Sequence, residues 1–381
     1  MSNTFKSILR SITPPILLSI KKYLFNNSYR NVPFLKPNDF ITWWNEYKNQ
    51  NELPDDLVQI VDYYAQADHF NKCSEFWIWL SKQHIEILCE DKIENFKYTL
   101  ERKYYWGEAT LESRLLKPII NDEITLSIDV KELFKRHTFC DVSESVQYNI
   151  ANVVLLNYLV NNGYQSYIDK LEENDFGNPI YFNYKDKKLS FATLNSILEV
   201  SAIDNCVDLS NTNRILEVGA GSGRTCLSMF KLKNDLTYII VDIAPTLYVS
   251  QSHISANMKD KKIFKFKPFD DFETVKDEFN KSDIAFISPQ QLHLLPDQSV
   301  DLCIAIDCLH EMAKADVETY FKEFNRISSY LYFKCQTEQW AHVNPDVYTT
   351  NNYPTMDHWE KIMHEKCYIP NDYFHAVYQL K

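Results

Sequence analysis

The sequence predicts an α/β protein: a mostly parallel, doubly wound sheet preceded by a mainly helical N-terminal domain. Three observations predict it. The apolar run Ile215-Leu216-Glu217-Val218 feeds into Gly219-Ala220-Gly221-Ser222-Gly223, and Thr225 to Leu232 then carries apolar residues at helical spacing. Strand, glycine turn, helix is how a nucleotide-binding βαβ unit begins. The next apolar run, Tyr238-Ile239-Ile240-Val241, ends on Asp242, nineteen residues after Gly223, where an acid accepts hydrogen bonds from ribose hydroxyls in such a unit. From there to the C-terminus short apolar runs alternate with helical ones, the pattern of parallel strands joined by crossover helices.

The glycine turn stands out because the chain holds only six glycines and spends three of them there. Glycine is needed where backbone turns tightly or is approached closely by a ligand.

The elements follow in order. Residues 1–36 carry Lys6, Arg10, Lys21, Lys22, Arg30 and Lys36 and no acidic residue. Phe5, Ile8, Leu9, Ile12, Ile16, Leu17, Ile20, Leu24 and Phe25 fall roughly on one side of a helix interrupted at Pro14-Pro15. The longest apolar run, Ile16-Leu17-Leu18, is far too short to span a bilayer. Such a segment either makes peripheral contact with an anionic membrane surface or packs on protein.

Residues 37–176 are expected to form the helical domain. Helices are marked by Phe40-Ile41-Trp43-Trp44-Tyr47, by Leu57-Ile60-Val61-Tyr64, by the run from Phe76 to Leu88, and by Ile93 to Tyr105. Aromatic stripes at this spacing are core faces. Tyr104-Tyr105-Trp106-Gly107-Glu108 reads as core or as the mouth of a substrate site. Val142 to Leu171 is a further helical stretch whose first part ends at Gly163.

The turn cluster Asn174 to Pro179 places the domain boundary near residue 177, so residues 177–381 form the α/β domain. It opens with an extended piece, Ile180-Tyr181-Phe182, a polar turn over 185–188 and a helix from Phe191 to Ile203. After Asp242 come a helix from Thr246 to Met258, a basic surface stretch from Lys259 to Lys267 and a short acidic helix from Phe272 to Phe279. Strands are predicted at Ile284–Ile287, Val300–Ile306, Tyr330–Phe333 and Tyr373–Leu380, with helices at Phe321–Ser328 and His358–His364. Ligands sit beyond the C-terminal ends of strands in such sheets, so the loops after residues 218, 241, 287, 306 and 335 are where chemistry is expected.

The net charge is −12, although residues 1–36 are basic. The body of the chain therefore lacks the basic face that neutralising phosphates requires, and nucleic acid is not an expected partner. Nine scattered cysteines show neither a C-x-x-C pair nor zinc spacing with histidine, which predicts a reducing, cytoplasmic setting and no structural metal.

A dinucleotide fingerprint requires G-x-G-x-x-G. Counted from Gly219 or Gly221, the last glycine would stand at 224 or 226, where the chain has Arg224 and Cys226; an NAD oxidoreductase is disfavoured. Glu217-Val218-Gly219-Ala220-Gly221-Ser222-Gly223 instead fits E-x-G-x-G-x-G and resembles motif I of the class I S-adenosylmethionine methyltransferases, whose fold is Rossmann-like. Phe286 to Met312 looks like that family's stretch from its third strand through its fourth. At a finer level four segments resemble bacterial sugar O-methyltransferases encoded among surface-polysaccharide genes. They are Gly177-Asn178-Pro179 with its following helix, Tyr238 to Gln251, Leu309-His310-Glu311-Met312, and the region around Trp359. The resemblance covers roughly residues 177–381; the helical part matches only in character.

The resemblance implies S-adenosylmethionine as cofactor, held by Glu217, Gly219, Ala220, Gly221, Gly223, Asp242 and Ile243. In the family an acid usually follows the third strand and binds the adenine amine. Here Pro289, Gln290 and Gln291 occupy the place. The side-chain carbonyl of Gln290 or Gln291 is the expected acceptor, with Leu292 on the adenine face and Asp307 at the methionine end.

Enzymes that methylate amino groups of nucleic-acid bases carry D/N-P-P-Y/F after the fourth strand. This chain has Asp307-Cys308-Leu309-His310-Glu311, which argues against base methylation. A hydroxyl acceptor benefits from a general base, and His310 leads because its ordinary pKa lies near operating pH. Glu311 serves as the base itself, as an orienting partner or as a helix cap. Glu338 and His342, after the fifth strand, are the alternative bases. Tyr353 and Trp340 either stack on a sugar or pack in the core. No metal is expected, though Asp307 and Glu338 are the carboxylates one would use.

The expected activity is O-methylation of a sugar or sugar-containing glycan precursor, with the helical domain covering the acceptor site. The alternatives are methylation of a small non-sugar molecule and a non-catalytic scaffold subunit.

Overall fold

The computed structural model describes residues 35–66, 75–101, 142–337, 348–368 and 373–381. The basic segment 1–34 and Tyr104 to Glu108 lie outside the described residues.

Helices α1 (Pro37–Gln50), α2 (Asp55–Ala65), α3 (Glu75–Asp91), α4 (Val142–Asn161) and α5 (Gln165–Ile168) come first. A hairpin of β1 (Phe182–Tyr184) and β2 (Lys187–Leu189) leads into α6 (Phe191–Cys206). Ser190 starts α6 by accepting the Thr193 N–H at 3.1 Å, an N-cap that satisfies a donor with no partner inside the helix.

The α/β part then runs β3 (Arg214–Val218), α7 (Arg224–Leu232), β4 (Thr237–Val241), α8 (Thr246–Asn257), β5 (Ile263–Phe264), α9 (Lys276–Phe279) and β6 (Ile284–Ile287). It closes with β7 (Leu302–Ile306), α10 (Lys314–Ile327), β8 (Tyr330–Gln336), β9 (Glu360–Lys366) and β10 (Tyr373–Gln379). The eight-stranded sheet has the order β5-β6-β4-β3-β7-β8-β10-β9. Strands β3 to β8 pair in parallel, and β10 runs antiparallel between β8 and β9. The central strands are buried on both faces, which is why their sequences are continuous apolar runs rather than alternating ones.

Each face of the sheet has its own apolar core. Ile215, Tyr238, Ile240, Phe286 and Ile304 pack with residues of α7 and α8 and with Phe40, Trp44, Leu57, Ile60 and Ile85 of the N-terminal helices. Helices α1 to α3 therefore share a core with the sheet. Leu216, Val218, Ile239 and Val241 face the other way, onto α10 and the aromatic residues Tyr353, Trp359 and Phe374. A third cluster joins α4 to the hairpin and α6.

Four sequence expectations change. Residues 358–364 are not helical: Glu360–Lys366 is the edge strand β9, paired with β10. Its charged, largely exposed side chains suit a sheet edge, where charge discourages further pairing. The helix expected from Ile93 is broken into a 3-10 turn (Ile93–Asn95) and a π turn (Lys97–Glu101). The Lys97 and Tyr98 amides donate to the Gly177 carbonyl, at 2.9 and 3.4 Å, rather than continuing a regular ladder. The extended piece near 180 is a hairpin turning at Lys185, a non-glycine residue at φ +52°. The acidic helix from Phe272 splits into a 3-10 turn and the single-turn α9. Among the described residues no helix is long and apolar enough to cross a membrane.

Candidate active site

Strand order reverses between β3 and β7, so their C-terminal ends flank the topological switch point, where open α/β sheets bind ligands. The glycine turn follows β3 there. Gly219, Gly221 and Gly223 lie at φ +71°, +60° and +80°, a region side chains resist. A Cβ on Gly219 would stand 2.6 Å from Cys308 Cβ, and the Cys308 thiol donates to the Val218 carbonyl at 3.3 Å. The loop after β7 thus lies directly on the glycine turn.

Asp242 organises that turn. Its Oδ2 accepts the Gly221 N–H at 2.9 Å and its Oδ1 the Ile243 N–H at 2.8 Å. Both carboxylate oxygens are already engaged by backbone. Burial pushes its pKa up to about 7, against the pull of those two N–H groups. Glu217, expected on the cofactor, instead sits between the sheet and α7, where the Tyr238 hydroxyl donates to it at 2.8 Å. Burial pushes it up to about 7 as well. Glu217 supports the turn from beneath because strand alternation turns it toward α7.

A buried carboxyl of this kind has a pH signature. The unfolded chain loses the Asp242 proton near its ordinary value of 3.8, whereas the folded chain holds it to about 7. The folded state therefore binds more protons between those values, and the stability contribution of this group falls as pH rises through that window, then levels off. Apart from a constant offset, Asp242→Asn should gain stability relative to the native chain between pH 5 and pH 8. Urea denaturation at the two pH values measures this; a constant difference would contradict it.

The loop after β6 separates the two glutamines. Gln291 Oε1 accepts the Ser288 N–H at 3.0 Å and its Nε2 donates to the Lys267 carbonyl at 2.9 Å. It closes a capping box with Ser288, so it is a structural residue and not the adenine acceptor. Leu292 is likewise core, packed with the apolar cluster on the α10 face. Gln290 is different: its Nε2 donates to the Tyr63 carbonyl at 3.2 Å, while its Oε1 is buried with no hydrogen-bond partner among the described residues. A buried carbonyl in that condition calls for a donor.

After β7, Asp307 adopts φ +58°, unusual for a residue with a side chain. Its side chain is 42% exposed at the crevice, and its Oδ1 lies 3.5 Å from His310 Nε2. Glu311 Oε1 is 3.9 Å from the same nitrogen. The His310 side chain is itself almost fully buried, edge-on to the Tyr373 ring at 5.9 Å. Asp307, His310 and Glu311 therefore come together, whereas the sequence reading paired only Glu311 with His310 and set Asp307 at the methionine end of the cofactor. Tyr353 is a packing residue, stacked against Phe321 and Tyr348 in an aromatic cluster. Glu338, Trp340 and His342 lie outside the described residues. Among the described residues no group of three or more His, Cys, Asp or Glu could hold a metal ion.

Two features escaped sequence reasoning. Glu199 of α6 binds Arg224, which opens α7, and also accepts from Lys334 of β8 at 2.9 Å. Burial would raise the Glu199 carboxyl, but the two cations Arg224 and Lys334 hold it down at about 2. The second feature is Tyr373 of β10, whose hydroxyl donates to Asp307 Oδ1 at 2.6 Å. Nothing in the chain's local pattern joins these residues.

The N-terminal helices approach one half of this edge. Ser81 donates to the Ala244 carbonyl at 3.1 Å, and Tyr63 to the Phe269 carbonyl at 3.4 Å. His84, Phe96 and Leu100 line a small opening together with Gly221, Ser222, Thr246 and Val249. Helices α2 and α3 thus stand over the loops after β4 and β6, beside the glycine turn.

The sheet and the crevice define a Rossmann-like, doubly wound α/β protein with a helical N-terminal part. No family model and no curated protein matches the chain. Among solved structures it is similar to a protein from Pyrococcus horikoshii, at 14% identity over 52% of this chain and 93% of that one, with a TM-score of 0.35. An O-methyltransferase family protein from Burkholderia thailandensis is 12% identical over 50% of this chain and 58% of that one, with a TM-score of 0.32. A SAM dependent methyltransferase from Aquifex aeolicus is 14% identical over 44% of this chain and 82% of that one, with a TM-score of 0.29.

Proposed function

We propose that this chain is an S-adenosylmethionine-dependent O-methyltransferase acting on a hydroxyl of a sugar or sugar-containing glycan precursor. The observation that carries the reading is the meeting of two half-sites at the switch point. The glycine turn clamped by Asp242 faces the Asp307–His310 pair, with Cys308 packed on Gly219 between them.

The residues present fit the cofactor. Backbone of Gly219 and Gly221, all in left-handed conformation, gives the close approach a phosphate-free ligand needs. The buried Gln290 Oε1 offers an acceptor for an adenine amine. The opening beside Gly221 and Ser222 is lined on one side by His84, Phe96 and Leu100 of the helical part, largely apolar surface that would limit water around the donor half.

When bound, the cofactor would supply an electrophilic methyl group on a sulfonium, with the neutral thioether of S-adenosylhomocysteine as leaving group. The chain's task is largely positioning. His310 takes the proton from the acceptor hydroxyl, and the imidazolium so formed is stabilised by Asp307 at 3.5 Å and Glu311 at 3.9 Å. The sugar class rests on the sequence resemblance around Leu309-His310-Glu311-Met312 and Tyr238 to Gln251.

Calorimetric titration with S-adenosylhomocysteine, with NAD as control, tests the donor half. Binding of the first alone is expected, followed by turnover in a screen of sugar acceptors. Absence of binding to either would favour a scaffold role, and turnover confined to non-sugar acceptors would overturn the sugar assignment.

A further inference from the structure

We propose that Tyr373 is a positioning residue of this site: its phenol holds the Asp307 carboxylate against His310. The inference rests on reading Asp307 and His310 as the proton-accepting pair.

Four contacts place Tyr373 there. Its O–H donates to Asp307 Oδ1 at 2.6 Å, the same oxygen that lies 3.5 Å from His310 Nε2. Its ring meets the His310 imidazole edge to face, with centroids 5.9 Å apart and planes at 87°. Its oxygen also accepts from Gln336 Nε2 at 3.1 Å, a second bond on the phenol. The Lys334 ammonium lies 5.7 Å from the Tyr373 ring centroid, a cation–π distance, and is itself anchored on Glu199.

Topology explains how the last strand reaches this point. The parallel strands β7 and β8 present their C-terminal ends to the crevice. Because β10 is antiparallel, its first residue, Tyr373, pairs with Gln336 at the end of β8 and arrives at the same edge. Asp307 has a partly exposed side chain at a strained φ of +58°. Without a partner such a carboxylate would be drawn toward solvent. The phenol supplies a charge-assisted bond of the short, strong kind, directed so that the carboxylate remains beside the imidazole.

Among the described residues, the groups facing His310 include Asp307 and Glu311 from its own loop, Tyr373 from β10, and Cys335 of β8, whose thiol accepts its backbone N–H. Of these, Tyr373→Phe alters only the hydroxyl while keeping the ring that packs on the imidazole.

The test is the His310 titration followed by NMR of histidine-labelled full-length protein, the signal assigned by its loss in His310→Gln. A carboxylate at this distance raises an imidazole pKa by about one unit. Tyr373→Phe should lower the His310 value toward that of Asp307→Asn, while Gln336→Ala, which keeps the bond to Asp307, should leave it at the native position. A Tyr373→Phe titration that coincides with the native one, or moves upward, would overturn the proposal. S-adenosylhomocysteine affinity, read on the same samples, should match the native chain. Loss of that binding in the native protein would sink the methyltransferase reading without touching the coupling of Tyr373 to His310.

Discussion

His310→Ala is expected to lower methyl-transfer turnover by about 10²- to 10⁴-fold, the usual contribution of a positioned general base, while leaving S-adenosylhomocysteine affinity unchanged. The imidazole contacts Asp307, Glu311 and Tyr373, which lie off the glycine turn. The cofactor half of the crevice should therefore survive the substitution. Because the side chain is buried, alanine also leaves a cavity; His310→Gln fills most of that space and separates lost base chemistry from lost packing. Both variants should show the fall in kcat at similar KM. Turnover near the native level in both would move the base to Glu338 or His342. The measurement is cofactor-product formation against acceptor concentration, with calorimetry on the same preparations.

Glu199→Gln is expected to destabilise the fold by about 3–5 kcal/mol, the cost of removing one partner from a buried ion pair and leaving the other charged. Two cations depend on this carboxylate. The side chains of Glu199 and Lys334 are 1% and 4% exposed, and Arg224 is paired to the same group. Glutamine keeps the shape and loses the charge, so Arg224 and Lys334 would face each other across a neutral amide. Adding Lys334→Met should recover part of the loss, since an apolar side chain removes one uncompensated charge. Equilibrium denaturation of the two variants decides this; a Glu199→Gln change within about 0.5 kcal/mol, the range of surface substitutions, would refute it. The native chain should also show the linked acid response. Glu199 titrates near 2 in the fold against an ordinary 4.5, so its contribution is complete above about pH 4.5 and lost as pH falls toward 2.

The triad has a place in the site as well as in the core. Arg224 is the first residue of α7, directly after Gly223, and Lys334 lies beside the strand end that carries Asp307. One carboxylate from α6 therefore ties the glycine turn to the acid–histidine pair across the switch point. A change at Glu199 should disturb both half-sites together, whereas His310→Ala should affect only one.

Much of this site is written locally. Gly219, Gly221 and Gly223 do adopt left-handed backbone, and Asp242 does stand at the turn. The short loop after β7 holds Asp307, His310 and Glu311 close together. What changed were choices between near neighbours. Gln290 and Gln291 are adjacent and chemically alike. The turn after β6 engaged one in a capping box with Ser288 and a bond to the Lys267 carbonyl, and left the other's carbonyl oxygen buried and open. Similarly, Glu217 and Asp242 both belong to the motif, yet strand alternation sent Glu217 toward α7, between helix and sheet.

The sequence by itself determined the strand–turn–helix unit, the acid at the next strand end and the alternation that makes a parallel sheet. In each case the information lies in dihedral preferences and apolar periodicity within a few residues. Only the tertiary structure decided that residues 360–366 form an edge strand, that Glu199 unites Arg224 with Lys334, and that Tyr373 reaches Asp307. The Tyr373–Asp307 and Lys334–Glu199 contacts join residues 66 and 135 positions apart, and β10 brings its first residue to the crevice only because it enters the sheet antiparallel. Such contacts are set by which strands become neighbours, a property of the whole packed sheet that no local pattern encodes.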